Sequence, residues 1–228
     1  MIGKEVAVAR NRPRVCLQEA ASAKVANMEL NERFRGYLPV VVDLETGGFD
    51  ATVHPILEIA CTFVDWDKNR MRLAAGHVWH VQPFAGAPVE PASLKVTGID
   101  LDDPEREAID EKLALAEFFK LVRRALKDHR CQRAILVAHN AAFDLGFLTA
   151  ACVRTQINRN PFHPFSTLDT AALAAVAYGH TVLSEACRRA DMEFDASRAH
   201  SAGYDASRTA ELFCRIVNAW PYDPAVRD

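Results

Sequence analysis

What this chain lacks narrows the field first. Its 228 residues include six cysteines, yet Cys16, Cys61, Cys131, Cys152, Cys187 and Cys214 are scattered with no C-x-x-C pair among them. That scatter excludes a paired redox or metal motif and leaves buried, reduced thiols as the expectation. No apolar run is long enough to span a membrane; the richest, residues 171–177, is short and built of small side chains. The opening residues, "MIGKEVAVARNRPRV", have no apolar core of the kind a secretory signal carries. A soluble, cytoplasmic protein with no membrane partner is expected. There is no internal repeat and no low-complexity tract. An excess of positive charge is missing too, since 27 Lys and Arg against 30 Asp and Glu give a net charge of −3. A uniformly basic surface of the kind that grips nucleic acid is therefore excluded.

The charge is unevenly spread. Residues 1–35 hold seven Lys and Arg against four Asp and Glu, so the remainder carries the whole negative excess. Two readings of this arm stand: a solvated tail, or a nucleic-acid contact through Arg10, Arg12 and Arg14. We expect residues 1–30 to form an extension, with Met28 as an alternative start, and residues 31–228 to form one domain. Half the residues are apolar and a quarter charged, which is ordinary for a chain able to bury a sizeable core.

The pattern predicts strands at residues 39–44, 56–66 and 77–82, linked by glycine-containing turns as an antiparallel meander. Residues 83–106, with four prolines, read as a loop. Apolar spacing predicts a helix over 108–129, on Leu113, Leu115, Phe118, Phe119, Val122 and Leu126. Residues 134–139, "AILVAH", read as a buried strand, and helical patterns follow at 142–157, 170–178, 182–190 and 205–220. The order implies an α/β fold: a mixed sheet, antiparallel at first, flanked by helices.

The stretch "VVVDLETGGF" ends an apolar strand in two acids one residue apart, Asp43 and Glu45, which project from one face. Such a pair needs a positive partner. Asp144 in "AHNAAFDLGFL" follows the next buried strand, and Asp205 in "HSAGYDASRTAELF" opens the last helix, with His200 on the loop leading in. Each has an ordinary reading: Asp144 and Asp205 as helix caps, Glu45 as a solvated acid, His200 as a surface residue. Asp169 is open between a cap and outer support for a metal site. Carboxylates in such a set suit Mg²⁺ or Mn²⁺ rather than zinc. Two such ions roughly 4 Å apart grip a phosphodiester, and an imidazole beside them takes a proton from water.

"DLETGGF", "AHNAAFD" and "HSAGYD" together resemble the three signature blocks of the DEDD exonucleases in their histidine-bearing branch. "FRGYLPVVVDLETGGF", "RNPFHPFSTLDTAALA" and "VLSEACRRADMEFD" are similar to its ribonuclease T family, over residues 34–220. The resemblance implies a ribonuclease H-like fold and a 3′→5′ exoribonuclease using two Mg²⁺, with Mn²⁺ as a substitute. Asp43, Glu45, Asp144 and Asp205 stand at its metal-ligand positions and His200 at its general base. It implies a homodimer in which Arg33, Arg35, Lys127, Arg133 and Arg159 of one subunit hold RNA entering the other's site. Phe49, Phe143 and Phe165 stand where such enzymes stack the terminal bases, although each phenylalanine alone reads more readily as core than as a stacking platform. RNA 3′ ends, tRNA above all, are the implied partners, with single-stranded DNA secondary. One departure stands out: Ala92 and Val96 replace a glutamate and a phenylalanine of the pattern, which bears on terminal-base preference. A proofreading DNA exonuclease, an oligoribonuclease and a non-catalytic RNA-binding module are the rival readings.

Overall fold

A computed structural model describes residues 29–67 and 70–220. The expected extension, with Arg10, Arg12, Arg14 and Cys16, lies outside these residues apart from its last two positions. Five strands form one mixed sheet in the order β3-β2-β1-β4-β5. They are β1 (Tyr37–Thr46), β2 (Ile56–Asp67), β3 (Arg70–His80), β4 (Arg133–Ala138) and β5 (Phe162–Asp169). β1 pairs antiparallel with β2, and β2 with β3, whereas β1–β4 and β4–β5 are parallel. β1 is central, and Val40, Val41 and Val42 are all fully buried, as a strand covered on both faces requires.

Three elements depart from the sequence pattern. Residues 83–106 are not all loop, because α1 (Pro91–Thr97) forms within them, with Pro91 in its first turn and Gly98 at φ 71° ending it. A proline there loses no hydrogen bond, so it starts a helix instead of breaking one. β5 gave no strand signal, because only Phe162 and His163 of its residues are buried and Pro164 interrupts it. An edge strand tolerates both features. β3 likewise begins earlier than expected; it is the opposite edge and mostly exposed.

The helices α2 (Glu111–Asp128), α3 (Ala141–Thr155), α4 (Thr170–Tyr178), α5 (Leu183–Arg189) and α6 (Ala202–Ala219) follow the expected pattern within a few residues at each end. α2 and α3 pack together and against β1 and β4, while α6 crosses β1, β2 and β3. Leu113 is half exposed and sits off the buried stripe of α2, whose first turn instead buries Glu111. That carboxylate takes two hydrogen bonds from Arg154 of α3, at 3.0 and 2.7 Å. Such doubly bonded pairing is what allows a charge to be buried. Phe118, Phe119, Phe147, Phe162 and Phe213 fill the core. Cys61, Cys152, Cys187 and Cys214 are buried free thiols, whereas Cys131 is partly exposed. Among the described residues no helix is long and apolar enough to cross a membrane.

Small residues decide how closely α6 approaches. Opposed residues of an antiparallel ladder share a face, so Ala60, opposite Asp43, lies on the same face as that carboxylate. Ala60 packs against Ala202 and Ala206 of α6 in a cluster made of alanines alone. A Cβ on Gly203 would stand 2.8 Å from Val78 Cγ2 of β3. The "SAGYDA" segment therefore lies close on the sheet, and Asp205 is carried in with it. Ala206→Leu should cost about 1–3 kcal/mol of stability by overpacking this seam. Urea unfolding measures it, and an unchanged midpoint would show the seam to be loose.

Candidate active site

Asp43 and Glu45 project from one face at the end of β1, and Asp205 arrives in the first turn of α6. Carboxylate oxygens of these three residues all lie within 4.8 Å of one another. Asp144, in the first turn of α3, is almost wholly buried, and its Oδ1 accepts the Leu44 N–H at 3.1 Å. Its side chain is thereby fixed to β1 between Asp43 and Glu45. Residues separated by 162 positions in the chain thus meet at one strand end.

No cationic side chain among the described residues is hydrogen-bonded or ion-paired to Asp43, Glu45, Asp144 or Asp205, and the electrostatics reflect it. Burial, then the Asp144 charge, then that of Glu45, hold the Asp43 carboxyl well above the usual range. Burial, followed by Asp205, Glu58 and Asp144, pushes Glu45 up to about 8. Burial also pushes Asp144 up to about 8, against the lowering effect of its backbone hydrogen bonds. Asp205 is raised by burial too, although the His200 N–H, His200 and His139 oppose the shift. Asp205 Oδ1 is a buried oxygen with no hydrogen-bond partner. An orphaned carboxylate oxygen among mutually repelling acids is what a hard divalent cation completes, so the donor set fits Mg²⁺ or Mn²⁺.

His200 is exposed and has φ 63°, a left-handed conformation that is costly for a residue with a Cβ. The turn is held by its own N–H, which donates to Asp205 Oδ2 at 2.9 Å. Histidine and carboxylate are therefore coupled through the backbone, not through a helix face. Asp169, left open by the sequence, accepts N–H groups from Asn140 and Ala141 at the start of α3 and from Ala171 and Ala172 at the start of α4. It caps both helices at once, so it secures the turn that carries Asp144.

The aromatic candidates divide. Phe49 is 82% exposed and Phe165 80% exposed, which core residues of that size are not. Phe143 is half-buried, with its ring centroid 6.4 Å from Phe49 and 4.8 Å from Phe147. Phe165 leans on His163 at 4.5 Å, and no ring contact joins it to Phe49 or Phe143. Phe49 owes its placement to the glycines before it. A Cβ on Gly47 would overlap Pro55, and one on Gly48 would overlap the His54 ring. The Glu90 N–H donates to Gly47 O at 2.7 Å, which ties α1, with Ala92 and an exposed Val96, to the Phe49 turn.

The basic candidates are not near the acids. Arg33 and Arg35 precede β1, with Arg35 over the Tyr37 ring, and Arg133 opens β4 directly beside Tyr37. Lys127 ends α2 just before that strand, and Arg159 lies just before β5, where Pro161 O accepts the Ala134 N–H. All five belong to the start of β1, β4 and β5, whereas the carboxylates belong to the far end of β1. Six residues of strand separate Tyr37 from Asp43, about 20 Å at the usual rise.

One participant escaped sequence reasoning. Glu58 is a buried acid inside the otherwise apolar "PILEIACTF" run, and that misfit was the available signal.

A family model described as exonuclease, RNase_T, matches residues 40–213. A curated relative, Ribonuclease T of Marinobacter nauticus, is 53% identical over 192 residues, which is 84% of this chain and 87% of that protein. Among solved structures, the nuclease domain of 3′hExo, a DEDDh family member bound to rAMP, superposes with a TM-score of 0.62 at 17% identity. It covers 79% of this chain and 92% of its own. An E. coli ExoI complex with single-stranded DNA gives 0.61 at 16%, covering 80% and 41%. The ribonuclease H-like fold is therefore shared.

The carboxylate shifts carry a sign. Between the ordinary carboxylate range and about 8, the folded chain without metal holds more protons than the unfolded one, so stability falls as pH rises. In EDTA the melting temperature should drop from about pH 5.5 to about pH 8, and excess Mg²⁺ should restore most of it at the upper pH. A melting temperature indifferent to Mg²⁺ at the higher pH would mean that these acids do not hold the ion.

Proposed function

The chain belongs to the RNase_T exonuclease family, and we propose on that premise that it is a metal-dependent 3′→5′ exoribonuclease. It trims unpaired nucleotides from the 3′ ends of tRNA and other structured RNAs in the cytoplasm, with single-stranded DNA ends as secondary substrates. Residues 31–228 form the catalytic unit and residues 1–30 an extension. The observation that carries the reading is the meeting of Asp43, Glu45 and Asp205 within 4.8 Å, with His200 tied to Asp205.

The reaction is hydrolysis of the terminal phosphodiester. A water oxygen attacks phosphorus, the bond from phosphorus to the preceding 3′ oxygen breaks, that oxygen takes a proton from solvent to become the new 3′-hydroxyl of the shortened RNA, and a nucleoside 5′-monophosphate is released. Asp43, Glu45, Asp144 and Asp205 would hold two Mg²⁺ ions, or Mn²⁺ in their place; when bound, these offset the charge that builds on the phosphoryl oxygens. His200 accepts the proton from the attacking water, a task suited to an imidazole on an exposed turn beside the acids. Phe49 and Phe143 offer ring faces on which a terminal base stacks, and a base presents both faces only when unpaired. The absence of a carboxylate at Ala92 and of a ring at Val96, on the helix tied to the Phe49 turn, alters the preference for the terminal base.

The separation of basic residues from acids supports a homodimer. A strand's length from the carboxylates, Arg33, Arg35, Lys127, Arg133 and Arg159 are placed to hold RNA whose end enters the partner's site. Their positive charge is local, so the net charge of −3 is no obstacle.

On a 3′-tailed RNA in Mg²⁺, Asp205→Asn should lose more than about 100-fold in kcat, a larger loss than removing an outer partner of a metal ligand brings. His200→Ala should lose about 10²–10⁴-fold in kcat with RNA binding retained. Either variant at the parent rate would reject the assigned role. Rates on tailed RNA, tailed DNA and dinucleotides separate this reading from a proofreading or oligoribonuclease activity. Mixing Asp205→Asn subunits with subunits carrying Lys127→Ala, Arg133→Ala and Arg159→Ala should restore cleavage that neither possesses alone. A mixture as inactive as its components would show that the basic residues serve their own subunit or none.

A further inference from the structure

Glu58 belongs to none of the roles assigned above, yet it is nearly fully buried on the face that carries the acids. It stands opposite Glu45 in the β1–β2 ladder and opposite His80 in the β2–β3 ladder. His80, Glu58 and Glu45 therefore form one row across three strands. Its oxygens face different partners. Oε2 accepts the Ala202 N–H at 3.3 Å, whereas Oε1 lies 2.9 Å from His80 Nδ1 at ion-pair distance without the geometry of a hydrogen bond. Glu58 is not among the acids whose oxygens converge within 4.8 Å.

Ala202 is the first residue of α6, two beyond His200. Ser201, at the N-cap, makes no side-chain cap of its own. Glu58 supplies that cap from a different element, so the His200 turn is clamped at two points: His200 N–H on Asp205 and Ala202 N–H on Glu58. On its other side the turn borders an open cavity of about 300 Å³, lined by Glu58, His80, Arg106, His200 and Ser201 among others. Arg106 fixes the outer end of the row, its Nη2 donating to Leu57 O at 2.6 Å and Val81 O at 3.0 Å. The left-handed conformation of His200 thus has little packing to support it, and the hydrogen bonds to Asp205 and Glu58 must hold it.

We propose that Glu58 is a positioning residue that sets the imidazole of His200 against the scissile phosphate through the Ala202 amide. The inference rests on the base assignment made above. The test compares Glu58→Ala and Glu58→Gln in the full chain, each alone and combined with His200→Ala. Initial rates are measured on tailed RNA in Mg²⁺, with circular dichroism and Mg²⁺-dependent melting to confirm a folded, metal-responsive protein. Glu58→Ala should lower kcat about 10–100-fold through displacement of the base, with KM within about threefold of the parent. Glu58→Gln keeps an oxygen for the Ala202 amide and should stay within about fivefold of the parent. Added to His200→Ala, Glu58→Ala should cost no more than about twofold, because both act on one step. A parent-like Glu58→Ala, a Glu58→Gln as slow as alanine, or a fully additive double mutant would overturn the proposal. A parent-like His200→Ala would instead overturn the base assignment beneath it, so the two failures are told apart.

Discussion

The burial of carboxylates that repel one another is the constraint around which this structure is arranged. Asp43, Glu45, Asp144 and Asp205 are all raised from their ordinary pKa values, and burial leads the causes in every case. Without a cation, this grouping is a source of instability that the rest of the molecule must outweigh. A protein selected for stability alone would not gather these acids and leave a buried oxygen of Asp205 unpartnered. The cost is what gives a divalent ion its affinity, since the free energy released by neutralising the cluster is available only where the cluster already exists.

Backbone amides do much of the holding. The Leu44 N–H secures Asp144, the His200 N–H secures Asp205, and the Ala202 N–H meets Glu58. Asp169 joins the starts of α3 and α4 through four amides. Amides lower the pKa of an acid they bond without occupying the face a cation needs, whereas a lysine or arginine would compete with the ion. Among the described residues the cationic side chains are instead spent elsewhere, as Arg154 is on Glu111 and Arg106 on backbone carbonyls.

The sequence made the centre of the fold legible and its margins obscure. β1 and β4 announced themselves because both faces are covered, so that "VVV" and "AILVA" are apolar without interruption. β5 and most of β3 lie at the sheet's edges, where solvent tolerates Pro164, Arg70 and Arg72, and no period survives. The four acids and the imidazole at the centre were readable because each stands at the end of a strand or the start of a helix, where local pattern is strong. The bond from the Ala202 amide to Glu58 and the cap that Asp169 places on α3 were not, because those partners lie 144 and 28 or 29 residues away and no local spacing encodes such a meeting. Phe49 could be told from a core phenylalanine only by its exposure, although the glycines before it were the hint.

The same physics accounts for a nucleic-acid enzyme with a net negative charge. An acidic cluster repels a phosphate backbone over its screening length of about 8–10 Å at ordinary salt, so basic residues crowded beside it would be neutralised by the acids before they met RNA. Placing them at the start of β1, β4 and β5, about 20 Å from Asp43, lies beyond that length and lets both charges act undiminished.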